Sequence, residues 1–142
     1  MKEAYPTFIA EDGEDFLVYV PDFEIYTFGK SMADAIYMAR DAIGLAGTCF
    51  EDDKRELPTP SSFEEATKKA KADTEIFDYT TGILTLVDID FVEYRKENDN
   101  RSVRRNVTLP NWLNSAAIRA GINVSRILQE ALMEKIGGGL KE

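Results

Sequence analysis

The spacing of apolar positions changes character along the chain, and the changes mark out its elements. Ala4 to Ala10 reads as a strand, and Glu11-Asp12-Gly13-Glu14-Asp15 as a turn in which Gly13 is free to take a positive φ. Phe16 to Val20 is a second strand, close enough to the first to predict a hairpin. After the interruption at Pro21-Asp22, Phe23 to Phe28 makes a third. In the second strand Phe16, Val18 and Val20 share one face while Leu17 and Tyr19 share the other. Both faces are apolar, so this strand either lies centrally in a covered sheet or keeps one face for a partner.

The period then becomes helical. Ser31, with Asp34 three residues on, resembles a capping box, and Ile36, Ala39, Ile43, Ala46 and Phe50 recur at helical spacing. Gly44 and Gly47 each cost about 1 kcal/mol relative to alanine inside a helix. They predict either close packing against the sheet or an early helix end. Glu51 to Pro60 is a loop; Ser61 or Ser62 caps a short, lysine-rich helix reaching about Ala72. Thr81-Gly82 is a turn before the strand Ile83-Leu84-Thr85-Leu86-Val87. Residues 1–95 thus form an α+β domain of order βββαβ, and residues 96–102, charged and without large apolar groups, form a linker.

Residues 103–136 read differently. Val103 to Leu109 is a strand ended by Pro110, with Arg104, Asn106 and Thr108 on one face and Val103, Arg105, Val107 and Leu109 on the other. Arginine forks onto guanine, asparagine pairs with adenine, and threonine adapts or touches a thymine methyl, so the polar face suits the reading of base edges. A helix follows from about Pro110 to Ala120, striped by Leu113, Ala116, Ala117 and Ala120 with Trp112 beside them. Gly121 fits a left-handed C′ position, and Asn123 fits the N-cap of a second helix carrying Val124, Ile127, Leu128, Ala131, Leu132 and Ile136. The amides of Val124 and Ser125, left unpaired at its start, make a phosphate site. So short a segment rarely folds alone without a disulfide, a metal or a partner. A two-fold dimer supplies the missing strand and the missing core, giving a ribbon-helix-helix module whose antiparallel ribbon enters a major groove. The glycine run at 137–139 predicts a flexible tail over 137–142.

Charge separates the same two segments. The net charge is −9 overall, yet from Arg101 onward seven Lys/Arg face three Asp/Glu, a net +4 that leaves −13 for the first 100 residues. A basic tail favours nucleic acid, while an acidic domain favours a basic protein. The chain has no histidine and one cysteine, Cys49, which removes histidine-based catalysis and any internal disulfide. At helical spacing, Cys49 is expected to be a small core residue. No apolar run approaches the ~20 residues of a membrane span, and the N-terminus lacks a signal-peptide pattern, so a cytoplasmic chain without cofactor is expected. Asp88 and Asp90, joined by Asp12 or Asp22, could hold Mg²⁺ for nuclease chemistry. A stand-alone repressor with a ligand-sensing first domain is a further alternative.

Taken together, YPTFIAEDGEDFLVYVPDFEIYTFGKSMADAIYMARDAI resembles the N-terminal domain of HicB antitoxins. ILTLVDIDFVEYR and NVTLPNWLNSAAIRAGINVSRILQEAL resemble the later part of that family, in its ribbon-helix-helix branch. The resemblance spans about residues 4–136, with one departure: Gly44 and Gly47 stand where the family carries few glycines. It implies a partial ribonuclease-H-like N-terminal fold without nuclease activity that covers the active site of HicA, a small basic ribonuclease that cleaves mRNA. It also implies a C-terminal module that binds the operator of its own operon as a dimer or tetramer, with Arg104, Asn106 and Thr108 as base readers. For the toxin, the candidates are the acidic turn (Asp12, Glu14 and Asp15) and the second apolar strand face at Leu17 and Tyr19. Solvated turn residues would explain the same acids.

Overall fold

The computed structural model describes residues 1–99 and 101–140. It divides into two compact units, Met1–Asn100 and Arg101–Glu142.

The first unit is built on an antiparallel sheet of β1 (Lys2–Asp12), β2 (Asp15–Val20), β3 (Ile25–Gly29) and β4 (Ile83–Asp90), in the order β3-β2-β1-β4. Gly13, at φ 64°, closes the β1–β2 hairpin. β3 starts later than the sequence suggests. Pro21–Phe23 forms a single 3₁₀ turn, and Glu24 takes a left-handed conformation (φ 53°) that redirects the chain into the sheet. Proline presets the φ of that turn and gives up only an amide with no ladder role.

The two apolar faces of β2 are both used, because β2 is central. Val18 and Val20 join Tyr5, Ile9, Val87 and Ile89 under α1 (Met32–Asp52), whose Ala35, Ala39 and Ile43 complete the main core. On the opposite face Tyr19 and Phe8 pack with Ala66 and Ala70 of α2 (Phe63–Ala72) and with Tyr79. The connection from α1 to α2 therefore carries the chain from one face of the sheet to the other before β4. It is pinned at two points. The Tyr5 hydroxyl donates to the Pro58 carbonyl at 2.8 Å. Asp22, its side chain only 2% exposed, accepts from the Ser61 amide (2.9 Å) and hydroxyl and pairs with Lys69 at 3.1 Å.

Both helix starts are capped as their sequences predict. Ser31 Oγ accepts from the Asp34 amide (3.1 Å), and Ser62 Oγ from the Glu65 amide (3.2 Å). In contrast to a capping box, however, Asp34 reaches back to the Lys30 amide, one residue earlier. α1 does not end at its glycines. A Cβ on Gly44 would lie 2.5 Å from Cγ of Tyr94, and one on Gly47 would lie 2.5 Å from Cδ1 of Phe91. The glycines admit α3 (Phe91–Asn98), a helix absent from the sequence reading, which placed a linker from residue 96. α3 is capped by Asp90, which accepts from the amides of Val92 (3.1 Å) and Glu93 (3.2 Å), and is tied to α1 by Arg95 pairing with Asp52 (2.8 Å) and Glu51 (3.4 Å). Cys49 is exposed on α1 and not in the core, since the buried side of the helix there is taken by Gly47.

The second unit contains α4 (Asn111–Arg119) and α5 (Val124–Leu140). α5 runs through Gly137, Gly138 and Gly139, where a flexible tail was expected; residues 141 and 142 lie outside the described residues, as does residue 100 in the expected linker. No helix among the described residues is long and apolar enough to cross a membrane.

Candidate nucleic-acid interface and partner surface

Residues 101–110 have no regular secondary structure and are exposed throughout. The strand expected over Val103–Leu109 is absent from the single chain for a simple reason: a lone strand has no ladder to join, and this unit supplies no second one. Arg104, Asn106 and Thr108 make no hydrogen bond or ion pair with the described residues, which leaves their donors and acceptors open. Pro110 sits at the N-cap position of α4 with extended backbone (φ −56°, ψ 142°), one place earlier than expected.

The junction between the helices follows the residue types closely. Gly121 is left-handed at φ 68°. Its amide bonds the Ile118 carbonyl at 3.1 Å, and the Ile122 amide bonds the Ala117 carbonyl at 3.1 Å, the paired bonds of a Schellman motif. Asn123 caps α5 by accepting from the Arg126 amide at 3.1 Å, while the Ile127 amide bonds the Asn123 carbonyl at 3.2 Å. The amides of Val124 and Ser125 are left pointing out of the helix start, with Arg126 beside them. Neither helix buries a described side chain: Leu113, Ile127, Leu132 and Ile136 are 39%, 51%, 51% and 49% exposed.

In the first unit the predicted partner residues separate. Asp12 and Glu14 are exposed at the hairpin tip, and Asp15 is partly occupied by Lys30 at 2.7 Å. Leu17 is half-buried opposite Phe28. Tyr19 is not a surface residue: it is 4% exposed, stacked on Tyr26 with ring centroids 5.0 Å apart and packed on Tyr79 at 5.2 Å. Its neighbours across the strand, Tyr26 and Phe28, carry the exposure instead, at 53% and 50%. Their i, i+2 spacing in a strand places both aromatics on one face, a signal already present in the sequence.

Of the four carboxylates suited by type to a metal, Asp12 stands exposed at the hairpin tip and the other three are engaged. Asp88 is bonded at 2.9 Å by Arg40, and that hydrogen bond and charge hold its carboxyl below the usual range. Asp90 is the α3 cap and pairs with the N-terminal ammonium at 3.5 Å. Burial pushes the Asp90 carboxyl up, but the Glu93 and Val92 amides and the ammonium together outweigh it, and the net shift is downward. Asp22 is held by Ser61 and Lys69. Among the described residues no three carboxylates or cysteines converge on a point.

Comparison with known proteins agrees with this geometry. The family described as HicB-like antitoxin of bacterial toxin-antitoxin system matches residues 5–131, across both units. The curated protein "Antitoxin HicB 2" of Photorhabdus laumondii is 38% identical over 63 residues, 44% of this chain; the chain spans 45% of that relative's length. A chain of a toxin-antitoxin complex from Streptococcus pneumoniae shares the fold at a TM-score of 0.59 and 24% identity, over 95% of this chain and 99% of that one. With both units matched in one stretch, the chain belongs to the HicB-like antitoxin family.

Proposed function

We propose that the chain is the antitoxin of a type II toxin-antitoxin pair. The first unit binds and masks a HicA-like mRNA-cleaving toxin. The second dimerises as a ribbon-helix-helix module and represses the chain's own operon through a β-ribbon in the DNA major groove. The observation that carries the reading is the state of the second unit. It holds two helices joined through the Gly121 turn and the Asn123 cap, preceded by a segment that alternates polar and apolar residues, yet buries no described side chain. Such a unit lacks a core until a second copy provides one, and pairing two copies of residues 103–109 sets Arg104, Asn106 and Thr108 side by side on one face. The net +4 of this unit favours DNA, while the −13 of the other favours a basic ribonuclease.

The test is operator binding by anisotropy, with DNA from upstream of the chain's own gene. Arg104→Ala with Asn106→Ala is expected to abolish specific binding and leave the dimer intact; each bidentate base contact is worth about 1–3 kcal/mol. Unchanged specific binding would sink the ribbon assignment. Toxin masking is tested separately, by inhibition of the neighbouring gene's product in an mRNA cleavage assay.

A further inference from the structure

We propose that the outer edge of β3 accepts an extended segment of the partner protein as a fifth strand, with a basic side chain of that segment lodged between Glu24 and Asp73. This deepens the toxin-masking reading and rests on it.

The two edges of the sheet are treated differently. On β4, Arg40 donates from Nε to the Asp88 carbonyl and from Nη2 to the Asp88 carboxylate, each at 2.9 Å, so side chain and charge cover part of that edge. Charged groups on an edge are a standard defence against strand addition. β3, the other edge, reads Ile25-Tyr26-Thr27-Phe28-Gly29. It carries no charge and no proline, and no described side chain bonds its outward amides or carbonyls. An open, uncharged edge of this kind supplies main-chain hydrogen bonds to an added strand, and its side chains set which strand fits.

The side chains beside that edge define the partner's chemistry. Tyr26 and Phe28 stand half-exposed on the face shared with α2 and offer an apolar strip two residues long. At the Ile25 end the strip opens into a groove of about 480 Å³ that includes Tyr26, Phe23, Phe50, Glu24 and Asp73. Asp22 and Lys69 also border it, and they satisfy each other, with Ser61 completing the Asp22 contacts. Glu24 has no partner among the described residues, and Asp73, which accepts from the Tyr26 hydroxyl, keeps lone pairs free. Aromatic walls with two available carboxylates match a lysine or arginine, through both charge-assisted bonds and ring faces. At the far end of β3 the exposed Asp12 and Glu14 of the hairpin repeat the acidic character. The surface is apolar in the middle, with Lys30 over the Phe28 ring, and each end carries more carboxylates than ammoniums: Lys30 is paired with Asp15 and Lys69 with Asp22, while Asp12, Glu14, Glu24 and Asp73 remain. It fits an extended segment with basic residues flanking apolar ones, which is the chemistry of a basic nucleic-acid-cleaving protein and not of DNA.

The test uses the full chain and the purified product of the neighbouring toxin gene. Hydrogen–deuterium exchange is followed with and without toxin, and toxin affinity is measured for Glu24→Lys and Phe28→Ser. The expected result is at least tenfold slower exchange for amides within Ile25–Gly29 in the complex, and at least tenfold weaker toxin binding by Glu24→Lys with unchanged thermal unfolding. A complex that forms without protecting β3, or that Glu24→Lys forms as well as wild type, overturns the edge proposal and leaves toxin masking intact. If no complex forms at all, toxin masking itself fails and the edge proposal falls with it.

Discussion

Ile127→Ala probes the proposed dimer most directly. Ile127 lies in the apolar stripe of α5, and in the single chain it is 51% exposed. Fully burying an isoleucine is worth about 2.5 kcal/mol, so about 1.2 kcal/mol remains to be gained at this position on association. A two-fold interface contains the residue twice, and alanine keeps its Cβ, so the variant dimer loses about 2 kcal/mol, roughly a 30-fold weaker association constant. Any cavity left in the shared core adds to that loss. Sedimentation equilibrium over a range of protein concentrations measures the constant, with Gln129→Ala as the control on the opposite side of the helix. An association constant equal to that of wild type for Ile127→Ala would refute the argument that the α5 stripe is completed by a second chain.

Three further outcomes concern the first unit. Gly29→Ala would place a Cβ 2.7 Å from both Ala35 Cα and the Asp34 carbonyl carbon. These are backbone atoms that cannot rotate aside, so urea unfolding should register a loss of about 2 kcal/mol, in the range for overpacking. Asp90→Ala removes the α3 cap and should cost about 1 kcal/mol at neutral pH. Because the Asp90 carboxyl is held low in the folded protein, its stabilisation is fully present above the ordinary aspartate value of about 3.9 and is lost as pH falls through the folded value; the gap between wild type and variant should close in acid. A gap that persists at pH well below that value would rule out the charge as its source. At the alkaline end, burial pushes the Tyr5 and Tyr94 hydroxyls up to about 12, and raises Tyr19 and Tyr79 by the same cause. Hydroxyls that stay protonated only when folded stabilise the fold fully below about pH 10, and that contribution is lost as pH climbs through their folded values. Phenolate absorbance should therefore rise late and together with loss of the fold, and early ionisation of all six tyrosines in the folded chain would contradict the burial of this cluster.

What the sequence determined by itself is what depends on near neighbours. Ser31, Ser62 and Asn123 cap helices because a cap needs only the next three residues. Gly13 and Gly121 turn the chain because their left-handed backbone is a local demand. The alternation of β2 limited it to a strand covered on both sides or one with a face kept for a partner, and packing decided for the first; the charge changes sign near residue 100, where the chain divides into two units.

Tertiary structure alone decided the rest, wherever a residue's role depends on something far along the chain. α3 has almost no apolar pattern; it forms because Asp90 caps it, Arg95 reaches Asp52 and Glu51, and Phe91 and Tyr94 fill the space above Gly44 and Gly47. Those glycines look like helix breakers until α3 is laid against them. Tyr19 passed for a surface contact until Tyr26, Tyr79 and α2 closed over it, and Cys49 for a core residue until Gly47 took the inner position. Residues 103–109 alternate like a strand yet form none, because their own unit offers no second strand to pair with. Local chemistry writes caps, turns and periods into the sequence, whereas packing partners are chosen by three-dimensional proximity, which no short window of residues contains.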